Sequence, residues 1–172
     1  MDGHYEQVMR ARALAKNDPP RLYFAYSTAL DRIAFDEWRN QHGYNEFALP
    51  PGELAEALDV DLVYDFPSRF WGGRVAGLTD KPGTSVFGRL FEVSGVDWPI
   101  VGHKEGALTN MCVARPVRVR VGDRELTAEA FTTRPERASY DGPVSERFRQ
   151  ALVRGAESAG LPQAYLERLR RG

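Results

Sequence analysis

The chain has 172 residues, enough for one domain with a substantial core and too few for two of ordinary size. Its 24 acidic and 23 basic residues cancel to a net charge of −1, and its 42% hydrophobic and 27% charged content is ordinary for a globular chain. That composition excludes a disordered, collagenous or coiled-coil main state, and the charge balance leaves no electrostatic footprint for nucleic acid or an anionic membrane. Cys112 is the single cysteine, so no internal disulfide forms, which suits a reducing cytoplasm. The opening text MDGHYEQVMRARALAKNDPP has no apolar h-region, and no stretch of about 18 apolar residues occurs. A cytoplasmic protein without a membrane partner is the expectation.

In chain order, Val8, Met9, Ala13 and Leu14 mark the apolar side of a short helix that Asn17-Asp18-Pro19-Pro20 ends. Arg21 to Tyr26 (RLYFAY) reads as a buried strand. Thr28, with Asp31 three positions on, predicts an N-cap, and Leu30, Ile33, Ala34 and Trp38 recur at helical spacing up to His42-Gly43. Pro50-Pro51-Gly52 predicts a turn and Glu53 to Leu58 a short helix. Strands follow at Leu62–Phe66, Arg74–Leu78 and Val86–Val93, separated by a bend at Trp71-Gly72-Gly73 and a turn at Lys81-Pro82-Gly83-Thr84. Asp97 to Gly106 predicts a helical turn that presents its last residues in a loop. Val117, Val119 and Val121 alternate with arginines as a half-buried strand, and Leu126, Ala128 and Ala130 return after Gly122-Asp123. Arg134 to Gly142 is a polar loop. Phe148, Leu152 and Ala156 then form one helical stripe stopped by Gly160, and Pro162 starts a last helix with Tyr165, Leu166 and Leu169.

Motifs with a known mechanism are scarce. His4, His42 and His103 are scattered and fit no H-E-x-x-H or Cys-x-x-Cys spacing, and the Pro-Cys-x-x-Cys half of a zinc deaminase is missing after His103-x-Glu105. The glycines make neither a Walker loop nor a G-x-G-x-x-G fingerprint, and no G-x-S-x-G elbow occurs. Cys112 reads as a buried, inert thiol, with a Cys112/His103 acyl-transfer pair as the rival. The residues taken by themselves describe an α+β domain.

Ordered segments carry a resemblance. Tyr23-Phe24-Ala25-Tyr26, the Trp71–Ala76 and Pro82–Phe91 stretches, Glu105-Gly106, and Gly155-Ala156 followed by Gly160-Leu161-Pro162 and Tyr165 resemble the gamma-glutamylcyclotransferase family. The similarity runs from about residue 21 to 169, with residues 1–20 as an N-terminal helical extension and 21–172 as the cyclotransferase-like domain. The resemblance implies a small mixed β-barrel of about six or seven strands with helices packed outside. It implies no metal and no cofactor and a small γ-glutamyl substrate; between a monomer and a homodimer the sequence does not choose. The family's Tyr-Gly-Ser-Asn loop is Tyr26-Ser27-Thr28-Ala29 here, and Cys112 stands where a tyrosine often follows the Glu-Gly pair.

Such enzymes cut a γ-glutamyl amide without water: the substrate's α-amine attacks its own side-chain carbonyl, and 5-oxoproline leaves with the free amine. Because the nucleophile is tethered, the chief obstacle is that an amine with a pKa of about 8 is largely protonated at neutral pH. A carboxylate can take that proton and return it to the leaving nitrogen. The resemblance gives Glu105 this role and makes Tyr26, Ser27, Thr28, Ala29, Leu30 and Tyr140 the substrate-binding candidates. Backbone N–H groups of the loop would hold a carboxylate or the oxyanion. Capping remains open for Thr28, and core packing for Tyr26 and Tyr140. The altered loop also motivates a rival reading, a non-catalytic binding or accessory protein on the same scaffold.

Overall fold

A computed structural model describes residues 3–172, so the two outermost residues of the expected 1–20 extension lie outside the described residues. Helix α1 spans His4–Leu14, strand β1 Arg21–Ala25 and helix α2 Arg32–Gln41. Two long strands follow, β2 (Glu53–Ser68) and β3 (Gly73–Val93), then the short helix α3 (Trp98–Lys104). Strands β4 (Cys112–Val121) and β5 (Arg124–Thr133) form a hairpin, and helices α4 (Glu146–Ser158) and α5 (Gln163–Arg171) end the chain.

The sheet has five strands in the order β1-β3-β2-β4-β5, not six or seven. Only β1 and β5 run parallel, and they meet at Tyr23 and Glu129, so the curled sheet returns on itself along one short seam. An Arg21–Glu129 ion pair of 2.8 Å flanks that seam. The strand count falls because segments read as separate strands are continuous: β3 pairs with β1 through residues 89–93 and with β2 along most of its length.

Two expectations fail for identifiable reasons. Glu53–Leu58 is strand, not helix: from Leu54 to Leu58, buried Ala55 and Ala57 alternate with the more exposed Leu54, Glu56 and Leu58, a period of two. Pairing with β3 and β4 overrides the helical propensity of Ala, Leu and Glu. The Lys81–Thr84 signal makes a bulge within one strand instead of a turn between two. Leu58 pairs with Ser85 and Val60 with Asp80, so four residues loop out opposite Asp59, whose carboxylate accepts from Gly83 N–H at 2.9 Å.

The helices pack on this sheet through the predicted stripes of α4 and α5, where Phe148, Leu152, Ala156, Tyr165, Leu166 and Leu169 are all buried. The early helices differ. Leu14 and Ile33, read as apolar-face residues, stand 87% and 74% exposed. Thr28 opens a 3₁₀ turn through Leu30, and Asp31 is the true cap of α2, accepting from Ala34 N–H at 3.1 Å. That later start turns Phe35 inward, against Trp38 and Phe47. At the far end of β1 the chain runs so close to β3 that a Cβ on Gly88 would lie 2.1 Å from the Ala25 carbonyl oxygen. Glycine at 88 therefore sets how closely the loop after β1 approaches the sheet.

Replacing Asp31 by alanine is expected to cost about 1 kcal/mol of unfolding free energy, and replacing Thr28 only a few tenths. Urea titrations of the two variants check this assignment; an equal or larger loss at Thr28 would return the cap to that residue.

Candidate active site

Glu105 is placed by the end of α3. Ile100 and Val101 are fully buried and fix the helix, and Glu105 N–H closes its last turn on the Val101 carbonyl at 3.0 Å. Gly106 follows with φ of +85°, a left-handed stop that glycine adopts without strain. Its carbonyl accepts from Met111 N–H (3.2 Å) and Cys112 N–H (3.3 Å), which folds the Glu105-Gly106 loop onto the start of β4.

Within this frame the Tyr23 hydroxyl donates to the Glu105 carboxylate. Tyr23 projects from β1 and is 1% exposed, with its ring against Phe91, Trp98 and Phe131. Burial raises the Glu105 carboxyl above its ordinary range, while the Lys104 charge and the Tyr23 hydrogen bond act in the opposite direction. Burial and the facing carboxylate hold the Tyr23 hydroxyl well above its ordinary value, so it stays a neutral donor. Lys104 is itself pushed down by burial, with Glu105 opposing.

Charge from Glu105 reaches Tyr26, the residue just before the Ser27–Ala29 loop. The Tyr26 hydroxyl donates to the Phe131 carbonyl at 2.6 Å, a structural bond that ties the loop to β5. Ser27 has φ of −124°, so its backbone lies outside the region reserved for glycine. Leu30 N–H closes the turn on the Ser27 carbonyl and Asp31 N–H on that of Thr28. No hydrogen bond engages the N–H groups of Ser27, Thr28 and Ala29 among the described residues. Ala29 and Leu30 side chains are buried under this turn. Tyr140 stands 65% exposed on the loop after β5, so the core reading for it is corrected.

Several neighbours carried no sequence signal strong enough to single them out. Asp65 is the extra residue of a bulge between the Tyr64/Ala76 and Phe66/Val75 pairs, and it is buried with Thr133 Oγ1 donating to it at 2.7 Å. Bulges re-aim side chains in this way beside functional sites. Burial raises the Asp65 carboxyl. A charge inside the apolar run Leu62–Phe66 was the one available hint. Tyr23 lay hidden in an aromatic run whose ordinary reading is core.

Burial, then the charges of Glu105 and Asp65, push the Cys112 thiol up to about 12, with Arg134 opposing. A thiol so protonated is no nucleophile near neutrality. The acyl-transfer rival fails further because His103 turns to Tyr44, with Nδ1 2.8 Å from the hydroxyl. The three histidines, far apart in sequence, converge here: the rings of His4 and His42 lie 5.3 and 5.2 Å from that of His103. Among the described residues, no His, Cys, Asp and Glu group is arranged to hold a metal, and no helix is long and apolar enough to cross a membrane. A cavity of about 470 Å³ lined by Phe66, Phe70, Met111 and Arg137 adjoins the site through Met111, whose Cε sits 3.3 Å from a Cβ position on Gly106.

Because its folded pKa is raised, ionised Glu105 disfavours the native state. Wild type should therefore lose stability relative to Glu105→Gln as pH rises from the ordinary carboxyl range through the raised value. Denaturant titrations are expected to show the glutamine variant at least as stable at neutral pH, with the difference shrinking in acid. A variant whose relative stability falls towards neutral pH would contradict the assignment.

Comparison with known proteins fits this arrangement. A sequence model of the AIG2-like family matches residues 85–169, which include Glu105. Human gamma-glutamylcyclotransferase is 28% identical over 115 residues, 66% of this chain and 59% of that protein, so the chain spans less than two thirds of that relative. The bovine protein of the same name is 23% identical over 160 residues, 86% of this chain and 76% of its own length. A solved gamma-glutamyl cyclotransferase superposes with a TM-score of 0.71 at 22% identity, covering 88% of this chain and 86% of that one. A yeast gamma-glutamyl cyclotransferase specific to glutathione shares the fold with a TM-score of 0.63 at 9% identity, covering 90% of this chain and 95% of that one. Fold, partial family match and curated relatives all liken this chain to the gamma-glutamylcyclotransferases.

Proposed function

We propose that the protein is a cyclotransferase that releases 5-oxoproline from a γ-glutamyl amine or peptide, with Glu105 as its general base and acid. The observation that carries this reading is a half-buried carboxylate held by Tyr23, a residue of the strand that leads into a loop whose amide donors are uncommitted.

In this mechanism Glu105 takes a proton from the substrate's α-ammonium group. The freed amine attacks the γ-carbonyl, a C–N bond closes the five-membered ring, and the oxygen carries the developing negative charge. Collapse breaks the bond to the leaving nitrogen, which receives the proton back from Glu105. A carboxyl raised towards neutrality serves both transfers better than one at its ordinary value. The N–H groups of Ser27, Thr28 and Ala29 are the proposed donors to the substrate, with Tyr26 and Leu30 fixing the loop from either side. Tyr140, exposed on its loop, is the proposed contact at the rim. Residues 21–172 form the catalytic unit in this reading, and 1–20 an extension whose Arg12 pairs with Asp97 at the start of α3. A lone, protonated Cys112 suits the cytoplasm as its setting.

Incubation with a panel of γ-glutamyl amines and peptides should release 5-oxoproline. Glu105→Gln should lower kcat by a factor of about 10² to 10⁴ while the fold persists. Cys112→Ala should keep turnover. Glutarate raising the melting temperature without any product release would instead identify a binding protein, and loss of turnover at Cys112 alone would favour acyl transfer.

A further inference from the structure

Asp65 is a carboxylate that the mechanism above leaves unused, and the fold makes room for it. It is the extra residue of the second β2 bulge and only 8% exposed. Thr133 Oγ1 donates to its Oδ1 at 2.7 Å, and Ser139 N–H donates to its backbone carbonyl at 2.7 Å. Gly77 of β3 opens the space: a Cβ there would lie 2.7 Å from Asp65 Oδ1 and 2.8 Å from Thr133 Oγ1. Any side chain at 77 would displace the carboxylate. Oδ2 accepts from no other residue among the described ones, yet unlike Arg134 Nε and Tyr165 Oη it is open to water. No neighbouring cation lowers the Asp65 carboxyl; burial raises it, and hydrogen bonds alone oppose. A buried carboxylate with one oxygen engaged and one free calls for a charged donor.

The ladder carries this free oxygen towards Glu105. Thr133 stands opposite Cys112 in the β4–β5 pairing, so their side chains share a face, about 5 Å apart. Cys112 Sγ in turn lies 3.9 Å from a Cβ position on Gly106, the residue after Glu105. Charge from both Glu105 and Asp65 reaches the Cys112 thiol and the Tyr26 hydroxyl, so the two carboxylates flank one region. We infer that Asp65 binds the α-ammonium group of the substrate through Oδ2 and holds it between itself and Glu105. Once Glu105 has taken one proton, the neutral amine keeps two N–H bonds. One of them donating to Asp65 fixes the orientation of the nucleophile while the ring closes. This role rests on the cyclotransferase reading above and adds to it the group that recognises the amine.

L-Glutamate and glutarate, which differ only in the α-ammonium group, test it by calorimetric titration of the full chain, with no turnover required. Wild type is expected to bind L-glutamate about 10- to 100-fold more tightly, the worth of charge-assisted hydrogen bonding. Asp65→Asn keeps the size and the Thr133 contact but loses the charge. It should cut the preference by about tenfold, the remainder belonging to Glu105, while glutarate binds as well as before or better because a repelling anion is gone. Thr133→Val, which frees Asp65 from its anchor, should cut the preference partway. Equal affinities in wild type, or no binding of L-glutamate, overturn the role of Asp65 with no variant needed. A preference that survives Asp65→Asn overturns it too, and so does a folded variant that loses both ligands alike. In each case the cyclotransferase reading stands or falls separately, on release of 5-oxoproline by wild type.

Discussion

The hydrogen bond from Tyr23 to Glu105 is the contact on which the site depends. It joins the first strand to the end of α3 across 82 residues of sequence, and it does so where water is largely excluded. A carboxylate in such a place needs a donor, or its ionised form becomes too costly to populate. One neutral hydroxyl and the neighbouring Lys104 moderate the burial without cancelling it. The result is a carboxyl raised above its ordinary range, whereas a full ion pair with arginine would have fixed it as an anion.

The curled sheet exists around that contact. Tyr23 also marks the seam where β1 meets β5, so the residue that orients the acid is itself held by the closure of the sheet. The same closure carries the end of β5, with Thr133 and Arg134, towards the Glu105-Gly106 loop through the β4 start. Gly88 lets the end of β1 lie close on β3, just before the Ser27–Ala29 turn begins. One short parallel seam thus holds both Tyr23 and the strand whose end packs by the Glu105-Gly106 loop.

Much of this was legible in the sequence where a local rule and the tertiary demand agree. The α4 and α5 stripes, the β4–β5 alternation and the Asp97–Gly106 helical turn fall where periodicity and Gly/Pro punctuation put them. Glu105 itself was reached through family resemblance, since a glutamate at a helix end has no distinguishing local pattern. Reading failed where long-range pairing decided the outcome. Glu53–Leu58 is helical by composition and strand by partnership, and Lys81–Thr84 carries turn chemistry spent on a bulge. Tyr23, Asp65 and the gathering of His4, His42 and His103 were invisible because each depends on contacts between residues far apart in the chain.

The central claim is that burial raises Glu105 and that Tyr23 holds it partly in check. A carbon-13 NMR titration of the Glu105 carboxyl, in wild type and in Tyr23→Phe, measures this directly. The account predicts a wild-type midpoint above the ordinary glutamate value and a higher one still once the hydroxyl is gone. A midpoint at or below the ordinary value, or one that falls in Tyr23→Phe, would contradict it.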